Sequence, residues 1–214
     1  VVGLVSPDDS DLIRRWERLG VESTKAAGLG SRLIARWGRP HRFYHGLEHL
    51  RGALDALERL GGGRLEAVAV FFHDSVWTLP SDPDHGADEA RSADLARTWL
   101  VGALPAEQIE EVARLVMVTA DHLPEAADPP GCRVSDADLA VLAAPWPRYA
   151  ESVAGLRAEA GLAGPGTAED WSALRRGQIA ELLGRPWLYR VAPPAWETAA
   201  RANLTRERDL LTIL

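Results

Sequence analysis

The chain has 214 residues, 46% hydrophobic and 26% charged, which suffices to bury a sizeable core and excludes a disordered chain. Twenty-four basic against 31 acidic side chains leave a net charge of −7, which argues against a protein that holds nucleic acid by charge. A single cysteine, Cys132, rules out an intrachain disulfide and a cysteine-rich zinc site, and no run approaches the ~20 apolar residues of a membrane span.

The hydrophobic periodicity is helical nearly throughout, and no alternating β-branched run reads as a strand. Helices are expected at 8–19, 22–37, 46–60, 65–77, 87–100, 106–121, 136–143, 148–159, 168–183 and 195–211. Pro105 suits a first helical position. Ser135 can cap the helix after it, Thr167 with Asp170 forms a capping-box pattern, and Gly184-Arg-Pro186 ends a helix. The loops at 80–86 and 124–131 are rich in Pro, Gly and Asp but too short to separate domains. One all-α domain over residues 1–214, a helical bundle, is the simplest expectation. Residues 1–7 lack the basic region of a signal peptide, and with the lone thiol this points to a cytoplasmic setting, with no membrane partner.

Three of the six histidines fall in the run His41-Arg-Phe-Tyr-His45-Gly-Leu-Glu-His49. At about 100° per residue, His45 and His49 share one helix face at the edge of its apolar arc, beside Ala53 and Ala56. An inward pair at i, i+4 fits a metal site, with a structural role as the alternative. The second element, Phe71-Phe72-His73-Asp74-Ser75-Val76-Trp77, closes a helix that is apolar on almost every side. An ionised Asp74 there needs a partner: a metal, or an arginine beside a core histidine. In the third, Ser135-Asp136-Ala-Asp138, a helix-start dipole role suits Asp136, and Asp138, one turn further in, is the better ligand candidate.

The order His49 … His73-Asp74 … Asp138 resembles the signature of the HD-domain superfamily of metal-dependent phosphohydrolases. Tyr44-His45-Gly-Leu-Glu-His49 is similar to the Tyr-His-Asn-x-x-His run of cyclic-nucleotide phosphodiesterases, where the first histidine is the general acid and the second a metal ligand. A bacterial branch of predicted HD phosphohydrolases is also resembled, from Pro40 onward. The matching stretches are Phe72-His73-Asp74-Ser75-Val76-Trp77, Asp88-Glu89-Ala-Arg-Ser92-Ala93, Asp136-Ala-Asp138-Leu139 and Ala200-Arg201-Ala-Asn203-Leu204. Trp77 stands where that branch has Tyr, and Asp88 where it has Asn.

The resemblance implies an HD-type bundle and a divalent ion held by His49, His73, Asp74 and Asp138. Two nitrogens and two carboxylates suit Mn, Fe, Co, Ni or Zn, with Mg conceivable at a second site. Water activated by that ion would attack a phosphoester, with His45 protonating the leaving oxygen. Glu89 would orient His45 or hold metal-bound water, or else be a solvated helix-face charge. His122 would line the pocket, or sit at a helix end for dipole reasons. Arg157, Arg175 and Arg201 are the candidate phosphate partners. His41 and His85 read as surface residues. The expected activity is hydrolysis of a small phosphorylated, nucleotide-like metabolite. A non-catalytic, metal-stabilised module that senses a nucleotide or binds a protein is the alternative, and a di-iron HD-type oxygenase a more distant one. Composition and motifs leave the oligomeric state open.

Overall fold

The computed structural model describes residues 9–21, 28–79, 82–83, 86–161 and 168–211. Among them the chain is all-α, with no strand. It contains α1 (Ser10–Arg18), α2 (Leu29–Trp37), α3 (Leu47–Arg59), α4 (Arg64–Phe72) and α5 (Asp88–Trp99). These are followed by α6 (Ala106–Met117), α7 (Pro129–Asp138), α8 (Trp146–Ala160), α9 (Ala168–Gly184) and α10 (Pro194–Leu210). Short 3-10 turns follow α6 at Val118–Ala120 and α7 at Leu139–Ala143. The expected start of the second helix at residue 22, Thr167 of the capping box, and His85 lie outside the described residues. No helix among the described residues is long and apolar enough to cross a membrane.

Three expected helices differ from what forms. The one expected at 22–37 begins at Leu29, because Gly28 takes a left-handed conformation (φ 71°) that an unbroken helix excludes. The helix expected at 65–77 stops at Phe72. Beyond it the backbone carbonyls are claimed by side chains: Arg42 donates to the Asp74 carbonyl at 2.6 Å and Arg36 to the Ser75 carbonyl at 2.6 Å. The helix expected at 136–143 begins at Pro129 instead. The Asp128 carboxylate accepts from the Gly131 N–H at 3.1 Å, and Pro129 and Pro130 occupy the first helical positions, where a missing N–H costs nothing. Ser135 is therefore no cap. Asp136 lies near the C-terminal end of α7, where a carboxylate opposes the dipole. It accepts the backbone N–H groups of Arg190, Val191 and Ala192 at 2.7–3.0 Å.

The first core gathers α1 to α7 around Trp16, Trp37, Leu50, Phe71 and Phe72. α4 runs through its centre, with Val68, Ala69, Val70, Phe71 and Phe72 all buried, as an all-round apolar helix requires. α2 approaches α1 so closely that a Cβ on Gly30 would stand 2.4 Å from the Trp16 ring. The second core joins the 139–143 turn, α8, α9 and α10 through Leu142, Tyr149, Ile179, Ala200 and Leu204. Trp196 packs against both. Asp136 couples them as well, since its carboxylate sits at the end of a helix from the first core and holds the loop leading into α10. The proposed chemistry-bearing residues collect where the two cores meet.

Candidate metal centre

Four donor side chains converge from three segments. His49 sits in the first turn of α3, His73 caps the C-terminus of α4 with Asp74 beyond it, and Asp138 closes α7. The Nε2 atoms of His49 and His73 are 3.1 Å apart. His49 Nε2 stands 2.9 Å from Asp138 Oδ1 and 3.6 Å from Asp74 Oδ2. His73 Nε2 stands 3.2 Å from Asp74 Oδ2 and 3.3 Å from Asp138 Oδ1. One ligand atom each of His49, His73 and Asp74 lies within 4.8 Å of the others, so these three can hold a metal ion.

The donor chemistry fits a cation. His73 Nδ1 donates to the Val70 carbonyl at 2.8 Å, which in the neutral ring turns the Nε2 lone pair toward the cluster. Donors on an ion with bonds of ~2.1 Å stand ~3.0 Å apart at right angles and ~3.4 Å apart in a tetrahedron. The separations that involve the two histidines bracket both, while Asp138, close to each histidine, lies outside the mutually close group. Burial disfavours a charged His73, but Asp74 and Asp138 outweigh it and raise its pKa well above the ordinary value. Burial also opposes ionisation of Asp74 and Asp138, yet His73 beside them keeps both carboxyls below the usual range. Positive charge is thus favoured at the centre of the group, which is what a dication supplies.

His45 is not part of α3. Gly46 adopts an extended conformation and the helix starts at Leu47, so His45 and His49 do not share a helix face. Their rings stand 6.0 Å apart, edge to face. His45 is held instead by Glu159 of α8, a residue the motif search missed. One Glu159 oxygen accepts the Tyr44 and His45 backbone N–H groups at 2.9 and 3.0 Å. The other meets His45 Nδ1 at 2.7 Å. The orienting role expected of Glu89 therefore belongs to Glu159. The signal lay in α8 itself, where Tyr149, Ser152, Leu156 and Glu159 fall on one inward stripe of helical spacing. Burial lowers the His45 pKa, but the Glu159 hydrogen bond and the charge of Asp74 more than offset it, and the net direction is up. Burial acts against ionised Glu159 too, and His45 reverses that.

α8 can approach this loop because of Gly155, where a Cβ would stand 2.8 Å from the Phe43 carbonyl oxygen. Arg42, also missed, is buried beneath the same loop and ties the His45 carbonyl to that of Asp74, at 3.0 and 2.6 Å. Trp77 stacks on both His41 and His45, with ring centroids 5.6 and 5.9 Å apart, so His41 is half-buried in a stack rather than free on the surface.

A cavity of about 200 Å³ opens over the cluster, lined by His45, His49, Asp74, Asp138, Glu89 and His122 among others. Burial raises the Glu89 pKa, and Asp74 adds to the shift. His122 takes a left-handed backbone conformation (φ 54°) and puts Nε2 3.6 Å from the second Asp138 oxygen. Burial lowers its pKa, which favours a neutral ring. Of the three arginines named from sequence, Arg175 reaches the cavity wall, where Glu207 holds it at 2.8 and 3.1 Å. Arg157 is exposed on α8 and does not line the cavity; its side chain leaves the helix away from the Glu159 stripe. Arg201 spends its guanidinium on Glu197 and the carbonyls of Leu183 and Arg185. Asp88 faces away as well, its carboxylate accepting the Thr78 N–H at 2.7 Å. Cys132 is buried, with its thiol pushed up by that burial, as an inert thiol should be.

No protein-family model, curated protein or solved structure matches this chain.

Proposed function

We propose that this chain is a metal-dependent phosphohydrolase of the HD type, acting on a phosphoester of a small, nucleotide-like metabolite. The observation that carries the reading is the pairing of a metal-ready cluster with an oriented acid. His49, His73 and Asp74 gather as donors, Asp138 adds a fourth, and His45 stands over the same cavity with Nδ1 engaged by Glu159.

A divalent ion bound by these residues would activate water and offset charge on the phosphoryl oxygens. The chain's own residues do the rest. Glu159 fixes the imidazole tautomer and favours its protonated form, leaving Nε2 as the nitrogen that passes a proton to the leaving oxygen. Tyr44 and Trp77 pack against the His45 ring and limit its rotation. Arg175, kept cationic by Glu207, lines the same wall as half of a buried, charge-balanced pair. A purely structural metal site has no need of a histidine held in this way, which favours catalysis over a non-catalytic module.

The deciding experiment is hydrolysis by the protein loaded with Mn or Co, assayed on an aryl phosphate and a nucleotide panel. His45→Ala should keep its metal and lose turnover by roughly 10²–10⁴-fold. Absence of phosphate or nucleotide release from every substrate by the loaded protein would refute the proposal.

A further inference from the structure

A second chamber of about 290 Å³ lies next to the metal-side cavity, between α3, the 139–143 turn and α8. Tyr44, His49, Asp138, Val141 and Ser152 line both spaces. Two of these shared residues are metal donors in the reading above. Each space alone falls short of the ~300–1,000 Å³ usual for small-molecule sites, and the two taken together lie within that range. A ligand that straddles His49 and Asp138 would fill both.

We infer that the second chamber receives the organic part of the substrate, a planar nitrogen heterocycle of the nucleobase kind, while the phosphoester lies at the metal. The inference rests on the phosphohydrolase reading for the phosphoester, and on the chamber's own chemistry for the ring. Ala53, Ala137, Ala140 and Ala144 line it with short side chains, as a flat ring requires. Phe43, 56% exposed, and Tyr44 offer aromatic faces for stacking. Arg59 and Arg148 supply donors, and Glu48 and Glu151 supply acceptors. These four charges cancel, which suits an uncharged ring with donors and acceptors on its edge better than a second phosphate. Arg148 meets Glu151 at 3.3 Å and Glu48 at 3.8 Å, and such exposed pairs cost little to rearrange around a ligand.

Gly52 points the same way. It lies within α3, where glycine costs ~0.5–1 kcal/mol relative to alanine. A Cβ placed there meets nothing within 4 Å, so no neighbouring side chain or backbone demands the glycine. It lines the chamber, and a larger residue would intrude on that space.

The test is binding of adenosine, guanosine, cytidine and uridine to the Mn-loaded full chain by equilibrium dialysis, compared with Gly52→Leu. Expected is millimolar or tighter binding of at least one nucleoside, weakened tenfold or more in Gly52→Leu, with metal content unchanged and no loss of melting temperature. If Gly52→Leu melts lower than the parent, Phe43→Ala, a change at an exposed rim residue, takes its place with the same expected loss. Overturning results are an absence of nucleoside binding to the folded, loaded parent, or equal binding by the substituted chain. Neither requires turnover. A chain that binds nucleosides in this way but hydrolyses nothing would refute the phosphohydrolase reading and leave the chamber assignment standing.

Discussion

Glu159→Gln isolates the part of the proposed mechanism that rests on this chain alone. The Glu159 carboxylate meets His45 Nδ1 at 2.7 Å, and Glu159 is 3% exposed, so the contact is a charge-assisted bond with little solvent screening. Such bonds contribute ~1.5–3 kcal/mol, and one pKa unit corresponds to ~1.36 kcal/mol. Losing the carboxylate charge should therefore lower the His45 pKa and disfavour its protonated ring by roughly 10–100-fold. Asp74 and Asp138 also raise that pKa, but a bound dication offsets their field, and Glu159 remains. Glutamine keeps an oxygen to accept the Tyr44 and His45 N–H groups, so the loop stays seated. Because His45 is raised on folding, its pairing with Glu159 stabilises fully below the unfolded-state pKa and is lost as pH rises through the folded-state value. The acid form follows the same direction, so the alkaline limb of kcat/KM should move to lower pH in Glu159→Gln. Activity above that limb should fall roughly 10–100-fold, while the acidic side changes little. A pH–rate profile on the metal-loaded protein reads this directly. An unmoved alkaline limb at unchanged metal content would refute the role given to Glu159.

Three further outcomes follow from the geometry. Metal analysis should find one divalent ion bound by the cluster, and chelation should abolish turnover; if the ion is present at ~1,000 times its Kd, its removal costs ~4 kcal/mol, which thermal melting reads as a drop of about 10 °C. Asp136→Ala strips the acceptor from three backbone N–H groups at 190–192 and should destabilise the fold by about 3 kcal/mol or more in urea titration, with the metal ligands themselves untouched. Gly155→Ala drives a methyl group against the Phe43 carbonyl and should lift the 43–45 loop from α8, lowering kcat by about tenfold or more at full metal content.

The helical class was legible because periodicity is a local property, and α3, α5, α8, α9 and α10 form close to where their apolar stripes begin and end. The misplaced boundaries of α4 and α7 have different causes, one set by partners distant in sequence and one local. α4 ends where Arg36 and Arg42 take carbonyls that another turn of helix would have used. α7 starts early because Asp128 turns back on Gly131, a local signal hidden inside a stretch that reads as loop by composition. At the centre, His49, His73 and Asp74 were readable as donors, because histidine and aspartate on apolar segments demand explanation. Glu159 was not, because a glutamate on a helix is ordinary until the fold buries it against a loop more than 100 residues away. Arg157 and Arg175 show the same limit. Both are helical arginines, and only tertiary packing decides that the second one faces the cavity.

The net charge of −7 takes on a different meaning once the acids are placed. The segment from Asp74 to Asp138 is rich in carboxylates, yet many of them have local work. Asp88 holds Thr78, Asp128 starts α7, and Asp136 anchors the 190–192 loop. Asp74 and Asp138 are the two that meet the histidine pair, and a dication there moves the total from −7 to −5. On the metal-side wall, the arginine among the described lining residues is Arg175, and Glu207 already balances it. A phosphoester entering this cavity thus meets Asp74, Asp138 and Glu89 with no surplus of protein cations. Its attraction must come from the ion itself, so substrate affinity and metal occupancy should rise and fall together. In the second chamber, where Arg59 and Arg148 offset Glu48 and Glu151, a ring held by stacking and edge contacts would add affinity that the charged side of the site does not provide.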